Sequence, residues 1–130
     1  LIRKIGAAIV ENNSLLVVSK KKHPNKYILP GGKPEGNEDE LETLSRELDE
    51  ELNVDLITAE KLGDFITKSV IEIDTLIYSI YLCKIEGNPK PCSEIGDFKW
   101  ITINDSDENF GSGITQFTIP KLIELGIIKS

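Results

Sequence analysis

The chain has 130 residues, 39% of them hydrophobic, which is enough for one core, so residues 1–130 are expected to form a single domain. A net charge of −7 excludes an extended surface for nucleic acid or an anionic membrane, because polyanions are repelled from most of it. With no apolar run near the roughly 18 residues of a membrane span, and with Leu1-Ile2-Arg3-Lys4 unlike a secretion signal, the expected location is cytoplasmic.

In chain order, Ile2 to Val10 and Ser14 to Ser19 are apolar and β-branched, separated by Asn12-Asn13. That pattern predicts two antiparallel strands joined by a tight turn. A polar, basic stretch from Lys20 to Lys26 follows, and then Tyr27-Ile28-Leu29 reads as a short strand ended by Pro30-Gly31-Gly32. Asn37 with Glu40 three residues on resembles a capping box, and the spacing predicts a helix from Glu38 through Leu52. Leu41, Leu44, Leu48 and Leu52 form its apolar stripe, and Asn53 suits the left-handed conformation that ends a helix. Lys61 to Thr67, Thr75 to Ile85 and Phe98 to Ile103 read as strands, with Asn88-Pro89-Lys90-Pro91 breaking the chain between the last two. After a polar loop from Asn104 to Gly113, a final helix is predicted near Thr118, with Pro120 in its first turn and Gly126 past its end. Strands on both sides of one amphipathic helix, plus a terminal helix, predict an α/β fold with a mixed sheet and helices on its faces.

The chemistry concentrates between Gly31 and Val54. Glu47, Glu50 and Glu51, at i, i+3 and i+4, fall within one helical arc of roughly 100°. Like charges at that spacing disfavour a helix unless a cation sits among them. Oxygen donors without a neighbouring Cys or His suit a hard divalent ion, magnesium or manganese. Gly31 and Gly32 let backbone approach the same place, and Arg46 can hold a carboxylate through two hydrogen bonds. Lys20, Lys21, Lys22 and Lys26 read equally as a solvated loop or a local phosphate contact. His23, Cys83 and Cys92 lack partner motifs, and the cysteines are expected as free thiols. Phe98 is read as core, whereas Trp100 fits either core or a base-stacking role.

Gly32, Glu38, Arg46, Glu47, Leu48, Glu50, Glu51 and Val54 follow the spacing G-x5-E-x7-R-E-U-x-E-E-x-G-U, U being bulky and aliphatic. The segment resembles the signature of the Nudix hydrolases, with Asn53 in place of the usual glycine. The resemblance implies an α/β/α sandwich that hydrolyses a pyrophosphate bond with Mg2+ or Mn2+. It implies that Glu50 and Glu51 bind the essential cation, that Glu47 binds a further ion or activates water, and that the Gly31 carbonyl joins the metal. Glu38 and Arg46 would organise the loop and helix. A further acid from a later loop is expected, with Glu94 first and Glu72 or Asp97 as alternatives. The implied substrate is a small nucleoside di- or triphosphate derivative, first an oxidised or non-standard triphosphate, then ADP-ribose or a nucleotide sugar. A non-catalytic nucleotide sensor of the same fold is the rival, and the protein would be a monomer or homodimer. An RNA-cap substrate is disfavoured, since no basic flank accompanies the motif.

Overall fold

The computed structural model describes residues 1–68, 74–105 and 108–130, so Glu72 and parts of the loops around residues 68–74 and 104–113 lie outside the described residues. Strands β1 (Ile2–Glu11) and β2 (Ser14–Lys20) form the predicted hairpin. Asn12 and Asn13 both take positive φ, 50° and 62°, the combination a two-residue turn between twisted strands requires. The two strands pair only at Val10↔Leu15 and Glu11↔Ser14 and then diverge.

The chain itself fills the opening. Ile28 exchanges backbone hydrogen bonds with Val18 at 2.8 and 2.9 Å, and the Pro30 carbonyl accepts from the Ala7 N–H at 2.9 Å. Gly31–Gly32 then pairs with Ile5 and Gly6 as strand β3. The expected strand at Tyr27–Leu29 is thus replaced by isolated bridges, Val18↔Ile28 and Tyr27↔Phe110. The segment crosses from one splayed strand to the other, which leaves no run of residues to pair along either.

Helix α1 spans Glu40–Leu52 and starts two residues later than predicted. Its capping box is Asp39 with Glu42: the Asp39 carboxylate accepts from the Glu42 N–H at 2.8 Å, and Glu42 accepts from the Asp39 N–H at 3.1 Å. Glu38 is held in the preceding loop by the N–H of Glu35 and by Arg46, which moves the start past Asn37. Leu44, Leu48 and Leu52 are fully buried, each contributing about 1.5–3 kcal/mol. Leu41 shares their angular position but lies in the first turn and stays exposed. Asn53 ends the helix at φ 55°, as expected.

Strands β4 (Asp55–Lys68), β5 (Thr75–Glu86) and β6 (Ile95–Ile101) complete the sheet, in the order β4-β5-β1-β2-β6 with β3 beside β1. The β1–β5 pair is parallel and the others antiparallel, so the sheet is mixed. Alternation along the strands sends Ile5, Ala7, Ile9, Leu16 and Val18 to the α1 face. Ala8, Leu15, Val17 and Ile80 face the other way, against Ile114 and Leu122. These two belong to a π-helical segment (Gly113–Thr118) that runs into helix α2 (Ile119–Glu124), with Pro120 in the first turn of α2. The result is the expected α/β/α sandwich. Phe98 and Trp100 are half-buried and packed against the α1-side core, and both cysteines are free. Among the described residues, no helix is long and apolar enough to cross a membrane.

Candidate metal centre

The buried arc of α1 includes Glu47 and Glu51 beside its leucines. Their carboxylates face the gap that β3 fills. The Gly31 N–H donates to Glu51 Oε1 at 2.9 Å, and Gly32 passes so close that a Cβ there would lie 2.5 Å from Glu47 Oε1. Gly31 takes φ 140°, and a Cβ on it would collide with the Ile5 carbonyl. At Gly31 the backbone conformation requires glycine, and at Gly32 a side chain would push the Glu47 carboxylate out of its place.

The third carboxylate arrives from the other end of the helix. The last turn leaves carbonyls without intrahelical partners, and two are taken by the loop before β6: the Cys92 N–H donates to the Glu51 carbonyl and the Lys90 N–H to that of Leu52, both at 2.9 Å. The Glu94 carbonyl in turn accepts from the Lys21 N–H at 2.8 Å. So fixed, Glu94 joins Glu47 and Glu51 in a group whose ligand oxygens all lie within 4.8 Å of one another. Asp97, by contrast, accepts from the Tyr27 hydroxyl at 3.3 Å. Glu50 stands outside the trio, half-exposed, with Oε2 3.2 Å from Arg46.

Arg46 organises the surroundings. It reaches Glu38 through Nε and Nη2 at 2.7 and 3.0 Å, Glu47 at 2.9 Å, Glu50 at 3.2 Å and the Lys33 carbonyl at 3.1 Å. Those bonds raise its pKa, and reciprocally Arg46, with the Glu35 N–H, holds the Glu38 carboxyl down at about 2.

Within the trio the shifts run upward. Burial pushes the Glu51 carboxyl up to about 8, and the charges of Glu47 and Glu94 add to it against the Gly31 hydrogen bond. Burial also raises Glu47, opposed by Arg46. Gathering buried carboxylates is unfavourable until a cation neutralises them. The trio offers only oxygen donors and can chelate a metal ion, so its chemistry fits a hard divalent cation.

One participant was not singled out in the sequence. Lys4, on β1 beside the glycine bend, is half-buried, and burial lowers its pKa, helped by Lys20 and Lys33 and opposed by Glu51 and Glu47. The only signal was a lysine, next to Arg3, at the start of a largely apolar strand. Of the basic loop, Lys20 approaches the trio, its Nζ 3.8 Å from Glu94 Oε1, while Lys21, Lys22 and Lys26 are exposed.

The profile of the NUDIX domain family matches residues 2–118. Among curated proteins none matches. Similar solved structures include the MutT NUDIX hydrolase from Burkholderia pseudomallei, 24% identical over 90% of this chain and 98% of that one, TM-score 0.78. The MutT protein from Methanosarcina mazei Go1 is 19% identical over 95% and 94% of the two chains, TM-score 0.82. A UDP-X diphosphatase is 22% identical over 97% of this chain and 63% of its own, TM-score 0.82.

Proposed function

The chain belongs to the NUDIX family, and from that premise we propose that it cleaves the pyrophosphate bond of a nucleoside di- or triphosphate derivative with Mg2+ or Mn2+ at Glu47, Glu50, Glu51 and Glu94. As a Nudix-type pyrophosphohydrolase it acts on a nucleotide-derived substrate. The observation that carries the site assignment is the convergence of Glu47, Glu51 and Glu94 beside the Gly31–Gly32 bend.

In this reading Glu50 and Glu51 are the principal metal ligands, and the Gly31 carbonyl contributes from the bend. Glu50 is half-exposed and its carboxylate lies 3.2 Å from Arg46, a pair weak enough to be exchanged for the cation at small cost. A divalent cation bound there would neutralise phosphate charge and lower the pKa of a water molecule. Glu47 or Glu94 would take the proton as the water oxygen bonds to one phosphorus, while the bridging P–O bond breaks and the other phosphate leaves with its electron pair. Arg46 keeps Glu47 oriented and, through Glu38 and Lys33, ties the loop to the helix. Asn53 does the work of the motif's glycine by taking the left-handed conformation itself.

Oxidised or non-standard nucleoside triphosphates are the first substrate class, supported by the likeness to proteins named MutT. Nucleotide sugars are the second, supported by the likeness to a UDP-X diphosphatase. A phosphate-release screen over both classes and ADP-ribose, with Mg2+, Mn2+ or chelator, tests the assignment. Metal-dependent turnover on a panel member is expected and names the class. Absence of turnover throughout, in a folded protein that binds a nucleotide, would leave the sensor reading instead.

A further inference from the structure

Lys4 sits where an apolar residue would cost less. Its strand neighbours Ile5, Ala7, Ala8 and Ile9 are buried, and the side chain itself is half-buried. Among the described residues its ammonium has neither a hydrogen bond nor an ion pair, although Arg3 next to it has both. A partly desolvated ammonium without a direct partner is unfavourable, and the charges of Glu51 and Glu47 oppose the effect of burial without reversing it.

Its position indicates what does. Lys4 pairs with Tyr78 on one side, and on the other the adjoining rung is Ile5↔Gly32, so it borders the bend that holds Glu51. The four charges that act on its amine are Glu47 and Glu51 of the trio, and Lys20 and Lys33. Lys20 is itself next to Glu94, and the Lys33 carbonyl is held by Arg46. Lys4 is thus near the trio without neutralising any of its members, and it remains free to meet an incoming anion.

We propose that the Lys4 ammonium is a substrate-contacting group that donates to an oxygen of the phosphate adjoining the one held at Glu47, Glu51 and Glu94, so that two linked phosphates bind more tightly than one. This rests on the pyrophosphohydrolase reading. It also gives the residue a consequence for turnover: once the linkage is cut, the product phosphates no longer share one grip, which favours their departure.

The test uses imidodiphosphate, a P–N–P analogue of the linkage, titrated calorimetrically into the Mg2+-loaded protein, with orthophosphate and Mn2+ alone as reference titrations. Lys4→Met keeps the apolar stem and is expected to weaken imidodiphosphate binding by about tenfold or more, the worth of a hydrogen bond to a charged group. Orthophosphate and Mn2+ binding should change by less than about twofold on the same reasoning. Lys4→Arg should retain most of the affinity, and Lys84→Met, on the exposed side of β5, all of it. If Lys4→Met fails to fold, Lys4→Gln is judged by the same thresholds.

Parental affinity in the Lys4 variant would overturn the proposal. So would loss of Mn2+ binding alongside, which would make Lys4 an organiser of the carboxylates. If the parent protein itself ignores imidodiphosphate, the proposal fails, while turnover on the nucleotide panel would leave the hydrolase reading standing.

Discussion

Arg46 and Glu51 answer opposite demands five residues apart on one helix. Arg46 holds the Glu38 carboxyl well below its ordinary range, whereas Glu51 is buried with a single N–H and two like charges for company. Glu38 therefore belongs to stability. Its carboxyl lies at about 2, below the ordinary 4.5, so its contribution is complete above the unfolded value and is lost as pH falls through the folded one. Metal-free Glu38→Gln should melt below the parent at neutral pH, and the gap should close between about pH 4.5 and 2. A gap independent of pH in that window would mean the Arg46 pair is not its source. In the proposed reaction Glu51 holds the cation. Glu51→Gln preserves the acceptor for Gly31 and removes the charge, so the metal-free protein should stay folded while turnover drops at least roughly a hundredfold. Near-parental rates in a folded variant would remove Glu51 from the site.

On the scale of elements, α1 presents two adjacent stripes, leucines that hold it to the sheet and glutamates that the sheet's gap receives. Leu48→Ala should destabilise by about 2–5 kcal/mol through lost burial and a cavity. Chemical denaturation would show it, and a shift near zero would contradict the packing of Leu48 at the centre of the α1-side core. The stripe was legible because a period of 3.6 repeats over three turns. The start of the helix was not, because Asn37–Glu40 and Asp39–Glu42 both satisfy the capping pattern. Only tertiary contacts from Glu38 to Arg46 decide between them. Strand β3 was hidden for a related reason: two glycines carry no side-chain alternation, and their pairing with Ile5 and Gly6 depends on β1 and β2 having separated.

For the molecule as a whole, the centre exists because distant segments meet at that separation: the glycine bend, the middle of α1 and the loop before β6. Motif spacing could place Glu47 and Glu51 together, since they share a helix. Nothing local could place Glu94, forty-odd positions on, because its location depends on Cys92 and Lys90 capping the end of α1. Lys4 was invisible for the same reason, one lysine in a strand reading as an ordinary edge residue until its surroundings are known. Binding of a cation at this junction should hold the three segments together and so be felt in global stability. A ligand that binds only the folded state adds RT ln(1 + [L]/Kd), about 2.7 kcal/mol at a hundredfold excess over Kd. Melting temperature should thus rise by several degrees with increasing Mg2+ and keep rising by a similar step for each further decade. Leu48→Ala should lower every point on that curve without changing its slope, because it weakens the core and not the site. Glu51→Gln should flatten the curve, and a Mg2+-dependent rise as steep as the parent's in that variant would place the ion elsewhere.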